Sequence, residues 1–205
     1  MRRAIVVALL LVASTSLWGQ DSVPPTGGGF CFRGRPKPKC SSFLITEFST
    51  RRPLGAVPDV VDPIMDIQLG VMVNAGRRSA IGAILTTGGS ESDRTTGFGV
   101  RYRRWLSHGL AGEIEGRVIS VCEPSGPSSC DRARGGFAVQ SALNLSDYVG
   151  ASVTYQHVNA GSGTAGGYTW WSYPAMSQWS AGVKVGSYVA PVVVLGLSVL
   201  IAATW

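Results

Sequence analysis

Apolar and polar side chains alternate with a period of two along much of this chain. Phe98, Val100 and Tyr102 supply one face of the segment 98–106, and Arg101 and Arg103 supply the other. Successive side chains of a β-strand point to opposite faces, so this alternation predicts strands with one apolar and one polar face. The same pattern occurs in 66–87, 98–106, 110–119, 137–156 and 178–186.

The segments 98–106 and 110–119 predict a hairpin with matched faces. Folding the chain on Ser107-His108-Gly109, with Gly109 at the positive-φ position of a three-residue loop, sets the register. The predicted cross-strand pairs are Arg103–Glu113, Arg101–Glu115, Tyr102–Ile114 and Phe98–Val118. One register thus pairs opposite charges on one face and apolar side chains on the other.

Two further hairpins follow from the same alternation. Folding 66–87 on Gly76-Arg77-Arg78 pairs Val73 with Ile81, Val71 with Ala83, and Leu69 with Leu85. Folding 137–156 on Leu145-Ser146-Asp147 pairs Phe137 with Tyr155, Val139 with Val153, and Leu143 with Val149. The longer connections 51–63, 88–94, 122–133 and 159–177 then lie at the opposite end from these tight turns.

Over about residues 43–188 this pattern resembles the small bacterial outer-membrane β-barrels, without any signature motif. The resemblance implies an all-β, antiparallel, up-and-down membrane β-barrel of about eight strands, with apolar side chains towards lipid and a lumen filled by side chains. The lumen would hold a charge network of Arg101, Arg103, Glu113, Glu115, Arg117 and Lys184, joined by Gln140. The alternative is an exported soluble antiparallel β domain with one wet face, anchored by its apolar C-terminal segment.

Two segments compete to be the eighth strand. Residues 41–50, "SSFLITEFST", contain strand-forming side chains, but their apolar residues fall on both faces. Residues 189–205 carry no charge and alternate towards the aromatic Trp205, as the last strand of an outer-membrane barrel would. The same seventeen residues are at the lower length limit of a membrane helix. We therefore expect 189–205 to be either an added strand or a membrane-associated helix.

The N-terminus predicts export. Arg2 and Arg3 precede an apolar run at 4–13, and small residues follow up to Gly19. This is the order of a cleaved signal peptide, which we assign to 1–19. The expected location is the bacterial outer membrane, with a periplasmic or secreted protein as the alternative.

Cysteine spacing agrees with export. Cys31 and Cys40 enclose "FRGRPKPK", and Cys122 and Cys130 enclose "EPSGPSS". Two local pairs in an oxidising compartment predict two disulfides that stiffen loops. No C-x-x-C spacing occurs and the two histidines stand apart, so we predict neither a metal site nor a cofactor.

The segment 20–42 is predicted to be a disulfide-containing basic loop. Its Arg33, Arg35, Lys37 and Lys39 could contact lipopolysaccharide or peptidoglycan, although a solvated loop is the simpler interpretation. Trp170, Trp171 and Tyr173 could contact a ligand or belong to an interfacial aromatic belt. Membrane lipid is the expected partner and nucleic acid is not; neither a small-molecule ligand nor an oligomeric state is predicted.

Composition fits this class. The 205 residues carry a net charge of +6, and charged residues make up 15%, below the roughly 25% usual in soluble domains. With 45% apolar residues and 27 glycines, the chain suits many short strands and turns rather than disorder.

No catalytic residue is predicted. Lipid A deacylases, which are also outer-membrane barrels, use a His-x-Ser motif on a lipid-facing strand. Here His157 is followed by Asn159, so the nucleophile is missing, and His108 stands in a tight turn. We expect a non-enzymatic barrel with a structural or surface-binding role and a lumen plugged by paired charges. A barrel hydrolase acting on lipid is the remaining alternative.

Overall fold

The computed structural model describes residues 29–32, 34–36, 39–55, 62–123, 130, 132–146, 148–165 and 168–186. The predicted signal peptide 1–19 and the tail 189–205 lie outside this part of the chain. Every regular element in it is a β-strand. No helix long and apolar enough to cross a bilayer occurs among these residues.

Eleven strands follow one another along the chain. They are β1 (Phe30–Cys31), β2 (Ser42–Pro53), β3 (Ile64–Val73), β4 (Ser79–Gly89), β5 (Arg94–Trp105), β6 (Leu110–Glu123), β7 (Arg132–Leu145), β8 (Val149–Val158), β9 (Gly161–Ala165), β10 (Tyr168–Tyr173) and β11 (Met176–Gly186).

Eight of these strands form a closed antiparallel ring. Strands β2 to β8 pair with their chain neighbours, β8 pairs with β11, and β11 returns to β2. Closure leaves no open sheet edge along the wall. The predicted eight-stranded up-and-down β-barrel is confirmed, and the two packed sheets of a sandwich are absent from the described residues.

The tight turns gather at one end of the barrel, which we call the turn end. They are 74–78, 106–109 and 146–148. The strand ends that are joined by the connections 54–63, 90–93, 124–131 and 159–175 lie at the other end of the barrel, the loop end. This is the arrangement that the predicted hairpins require.

Two of the three predicted registers are confirmed. Strand β5 pairs Arg103 with Glu113 and Arg101 with Glu115, and strand β3 pairs Val73 with Ile81. The third register is wrong by two residues: Phe137 lies opposite His157, Val139 opposite Tyr155, and Leu143 opposite Ala151.

The cause of this error is the turn between β7 and β8. Leu145 pairs with Val149, so the turn contains 146–148 instead of 145–147. Ser146 takes a positive φ of 50°, and the Tyr148 amide donates to the Leu145 carbonyl. The turn contains no glycine to mark its position in the sequence. A shift of two preserves side-chain parity, so each face stays as predicted.

Strand β2 is the eighth wall strand, which settles the competition between 41–50 and the tail. Its apolar residues fall on both faces because the barrel interior is apolar at the turn end. Phe43 and Ile45 are buried inside, whereas Leu44 and Phe48 point outwards. The barrel strands thus run from Ser42 to Gly186, against the predicted 43–188.

The connection 159–177, expected to be a loop, contains a second small sheet. Strands β9 and β10 form an antiparallel hairpin that is separate from the barrel wall. Its register shifts between Thr169 and Trp171, as at a β-bulge. The barrel therefore carries a hairpin extension at its loop end.

The N-terminal segment closes the turn end. Strand β1 adds to β2 in parallel, with Cys31 beside Phe43. A disulfide joins Cys31 to Cys40. Asn74, in the β3–β4 turn, donates its side-chain amide to the carbonyl oxygens of Arg35 at 2.7 Å and Cys40 at 2.8 Å. The segment is therefore tied to the barrel by a strand and by side-chain hydrogen bonds.

Candidate functional site

The interior of the barrel holds a network of ion pairs at mid-height. Glu47 of β2 lies at its centre, because strand parity points Glu47 inwards together with Ile45 and Ser49. Its Oε2 accepts from Arg101 Nη1 at 2.6 Å and from Lys184 Nζ at 3.2 Å. Arg103 Nη2 lies 3.5 Å from Oε1. One carboxylate therefore faces three cations from two other strands.

Glu113 is the second centre of the network. It accepts hydrogen bonds from Arg103 Nε and from Lys184 Nζ, and it lies 3.4 Å from Arg101 Nη1. The Arg103 guanidinium also lies over the Phe43 ring, 5.4 Å from its centroid. Such a cation–π contact stabilises the guanidinium on the side where it faces an aromatic ring instead of a carboxylate.

Glu115 extends the network towards the loop end. It accepts from Arg101 Nε at 2.9 Å and Nη2 at 2.6 Å, and from Arg117 Nη1 at 3.3 Å. Gln68 accepts from Arg101 and donates to Gln140 at 3.3 Å. Gly99 makes room for Arg117, since a Cβ there would lie 2.6 Å from the Arg117 Cβ.

A separate ion pair lies nearer the loop end. Arg51 Nη2 and Asp66 Oδ2 are 3.0 Å apart and buried. Within the described chain, Arg51 Nε and Nη1 and Asp66 Oδ1 make no hydrogen bond. This pair is therefore less completely satisfied than the central network.

Apolar layers lie on both sides of the charged layer. At the turn end they comprise Phe43, Ile45, Met72, Ala80, Ile84, Trp105 and Ala111. At the loop end they comprise Ile119, Val121, Ala138 and Val158. The charges are consequently shielded from water at both ends, which strengthens the ion pairs and raises the cost of leaving one unpaired.

A cavity of about 220 Å³ opens at the mouth of the loop end. Pro53, Gln156 and Gln178 line it, together with Asp93 of the β4–β5 connection. Partial burial raises the pKa of Asp93, the nearby Glu123 carboxylate raises it further, and Arg134 acts in the opposite direction. Among the described residues, no three His, Cys, Asp or Glu side chains gather as a metal site.

The hairpin extension is braced against β7. Arg132 Nη1 donates to the Tyr173 hydroxyl at 3.0 Å, and the Arg134 guanidinium lies 4.8 Å from the Tyr173 ring centroid. Arg134 also pairs with Glu123 at 3.0 Å. The Cys122–Cys130 disulfide closes the neighbouring loop. The loop end is thus held together by an ion pair, a cation–π contact and a disulfide.

The structure gathers some of the proposed contact residues and separates others. Arg35 and Lys39 lie at the turn end, whereas Tyr173 lies on the hairpin extension at the loop end. Arg33 and Lys37 are outside the described residues. Trp170 and Trp171 belong to strand β10, and their side chains are not described.

Sequence reasoning missed Glu47, Gln68 and the Arg51–Asp66 pair. A signal was present, because Glu47, Ser49 and Arg51 alternate along 47–51 in the same way as the other polar faces. The apolar Phe43 and Ile45 on that face concealed it. Nothing in the sequence shows that the lumen changes from apolar to charged along one strand.

His157 lies on the outer face near the loop end, where strand parity predicts it. Its Nδ1 is 2.8 Å from the Ser177 hydroxyl oxygen. This serine comes from β11, the neighbouring strand, and not from position 159.

These features define the class of the fold: an outer-membrane-type β-barrel with a polar, packed lumen and an apolar outer wall. No family model matches the chain, and no curated protein matches it. Its fold is similar to that of Neisserial surface protein A (NspA), at 11% identity and a TM-score of 0.41, covering 71% of this chain and 96% of that one. It is also similar to the translocator domain of the autotransporter NalP from Neisseria meningitidis, at 13% identity and a TM-score of 0.31, covering 90% of this chain and 69% of that domain.

Proposed function

We propose that this chain is an exported outer-membrane protein with a plugged lumen, which anchors a rigid binding surface at the loop end. The observation that carries this proposal is the sidedness of the closed wall. Val118 leaves 71% of its surface exposed outside, while Arg101 leaves 1% inside. Water would favour the opposite arrangement, and hydrocarbon favours this one.

Cations at both rims support the membrane placement. Arg52 and Arg94 are exposed at the loop end, and Arg77, Arg78 and Arg104 are exposed at the turn end. Lipid headgroups carry phosphates at both surfaces of a bilayer, and arginine binds phosphate well. Membrane lipid, with lipopolysaccharide at the loop-end rim, is therefore the proposed partner of the outer wall.

The orientation of the barrel in the membrane decides what the basic N-terminal loop can contact. If the loop end faces the cell exterior, Arg35 and Lys39 lie on the periplasmic side with the turn end. Anionic cell-wall polymer is then within their reach, whereas the lipopolysaccharide of the outer leaflet is not. The N-terminal loop is consequently not part of the proposed surface at the loop end.

The packed interior supports a plug rather than a pore. Gln68, Arg101 and Lys184 reach inwards from three strands and are buried at mid-height. Apolar layers cover this level on both sides. A solute that passed through the barrel would have to break several ion pairs at once.

The hairpin extension and its neighbours are the proposed binding surface. The Tyr173 contacts and the Cys122–Cys130 disulfide hold this region before any partner arrives. A preorganised surface loses less conformational entropy on binding. Binding at the loop end therefore needs no rearrangement of the barrel.

Fractionation and heat-modifiable migration test the placement. We expect the mature chain in the outer-membrane fraction of a Gram-negative host, with faster gel migration unheated than after boiling. An epitope placed between residues 166 and 167 should be accessible on intact cells. Recovery in the aqueous fraction, with identical migration before and after boiling, would contradict the proposal.

Conductance in a planar bilayer tests the plug. The folded wild-type protein should show no open-channel steps. The paired variant Arg101→Ala/Glu115→Ala removes one cation and one anion together, so it shortens the network without changing net charge. We expect that variant to conduct, and regular conductance steps from the wild type would show that the lumen is open.

A further inference from the structure

Four polar or aromatic side chains meet on the outer wall where β8 and β11 pair. Ser177 lies directly opposite His157, and Trp179 lies opposite Tyr155. Ser177 Oγ accepts a hydrogen bond from the Tyr155 hydroxyl at 3.2 Å and lies 2.8 Å from His157 Nδ1, to which the serine hydroxyl donates when that nitrogen carries no proton. Tyr155, Ser177 and His157 therefore form one hydrogen-bonded line.

The position of this line is unusual for a lipid-facing wall. Its neighbours on the same face are apolar, among them Phe137, whose ring centroid is 5.4 Å from that of His157. A serine within hydrogen-bond reach of an imidazole is the arrangement of an activated nucleophile.

A groove leads from this line towards the middle of the wall. It encloses about 250 Å³ and is lined by Val139, Ser141, Val153, Tyr155 and Trp179. Tyr155, whose hydroxyl donates to Ser177, lies at one end of the groove, and the β8 residues that line it run from Tyr155 to Val153, roughly 7 Å at the rise of a β-strand. An amphiphile with one polar end and one apolar chain fits this shape.

We propose that Ser177 and His157 are the nucleophile and general base of a lipid acyl-ester hydrolase at the loop-end rim. The substrate is an ester of a membrane lipid whose acyl chain lies in the groove. This inference rests on the proposed membrane placement of the outer wall. It goes beyond the structural and binding role, and it supplies the nucleophile that position 159 lacks.

The chemistry balances with water as co-substrate. Ser177 Oγ bonds to the ester carbonyl carbon while its proton passes to His157 Nδ1, and the Tyr155 hydroxyl lies close enough to donate to the developing oxyanion. The bond to the lipid alcohol breaks, and His157 returns its proton to that oxygen. Water then attacks the acyl-serine ester and gives a proton to His157. Ser177 leaves with that proton, and a fatty acid is released.

The pair has no carboxylate partner on His157 among the described residues. A carboxylate would hold the imidazole in one tautomer and one orientation, so without it turnover should be slow. Reaction with an activated phosphonate depends less on turnover and is the more sensitive readout.

The test uses the folded full-length protein in mixed detergent–phospholipid micelles. A fluorophosphonate probe should label Ser177, and long-chain p-nitrophenyl esters should be cleaved faster than the acetate. Ser177→Ala should abolish labelling, and His157→Gln should slow it by roughly 100-fold. Ser107→Ala changes an exposed serine at the turn end, so this variant is the matched control and should label as the wild type does.

Val139→Trp separates a hydrolase from a merely reactive serine. Filling the groove should remove long-chain cleavage while acetate cleavage and labelling persist. Heat-modifiable migration of every variant establishes that the barrel is folded, so a failure of membrane placement is distinguishable from a failure of the active site. Absence of both labelling and ester cleavage in the folded wild type would overturn the proposal, as would labelling unchanged in His157→Gln.

Discussion

Arg101 and Glu47 meet across the barrel interior, with Nη1 of the arginine 2.6 Å from Oε2 of the glutamate. The two residues belong to β5 and β2, which are not neighbours in the wall. Backbone pairing cannot connect these strands, so this contact joins opposite sides of the barrel. The interior ion pairs therefore link strands that backbone pairing does not join, in addition to filling the lumen.

Glu47→Gln is expected to lower the free energy of unfolding by about 3–5 kcal/mol, because three buried cations lose their shared carboxylate. Unfolding by urea in detergent micelles, followed by tryptophan fluorescence, measures the change. Glu91→Gln in the exposed β4–β5 connection is the control and should have little effect. Equal midpoints for the two variants would show that the network does not stabilise the barrel.

Lys184→Met should be less damaging in the Glu47→Gln background than in the wild type. Lys184 contacts both Glu47 and Glu113, so loss of Glu47 already removes part of what the lysine contributes. A double-mutant cycle should give a coupling energy of about 1–3 kcal/mol. Strict additivity would mean that the two side chains act independently.

Val118→Arg tests which solvent the outer wall meets. Val118 lies near the middle of β6 and points outwards. In a bilayer an arginine at mid-depth should cost about 2–4 kcal/mol of folding free energy, whereas in water it would cost little. Refolding into phospholipid vesicles measures this cost, and the exposed turn-end substitution Ser107→Arg is the control. A neutral result at Val118 would contradict a lipid-facing wall.

The double variant Cys122→Ser/Cys130→Ser should lose about 2.5 kcal/mol of stability, because the bond closes a short loop and restricts the unfolded chain. Unfolding midpoints with and without reductant, measured in a Cys31→Ser/Cys40→Ser background that retains only this bond, provide the same comparison without changing Cys122 or Cys130. The barrel should remain closed, with heat-modifiable migration intact. A variant that no longer migrates as a folded barrel would show that the disulfide is needed for the wall itself.

The raised pKa of Asp93 predicts that the stability of the folded protein depends on pH. Its folded-state pKa is raised by burial, so the neutral form favours the folded state. That stabilisation is present below the ordinary value of 3.8 and is lost as the pH rises through the raised value. Asp93→Asn should therefore be more stable than the wild type at neutral pH and equal to it in acid. Unfolding midpoints of the two proteins, measured across this pH range, check the expectation, and the same difference at every pH would contradict it.

Period-two alternation was enough to predict the sidedness of the wall and the Arg101–Glu115 pairing. Opposite charges and apolar side chains matched in a single register, which placed the turn at Ser107-His108-Gly109. The positive φ predicted for Gly109 is wrong, because among the described glycines only Gly55 and Gly89 take one. Glu47 was not predicted to belong to the charge network because the barrel interior is not uniformly polar. Its strand begins in an apolar layer with Phe43 and Ile45, and only a closed ring shows which layer each position reaches.

The partner of His157 could not be predicted for a different reason. Ser177 is separated from it by the hairpin extension, and the two become neighbours only because β8 and β11 pair across that extension. A motif search along one strand looks for a partner two residues away. Pairing between strands brings His157 next to a serine that is twenty residues away in the chain.

The ring closes only when β2 and β11, the first and last wall strands, pair with each other. Lys184 then reaches Glu47, 137 residues earlier in the chain. A sheet that entered hydrocarbon before this seam formed would carry both charges unneutralised, at a cost of several kcal/mol for each ion. Entry into the bilayer and seam closure should therefore be one concerted step, which cannot finish until β11 is available to pair with β2.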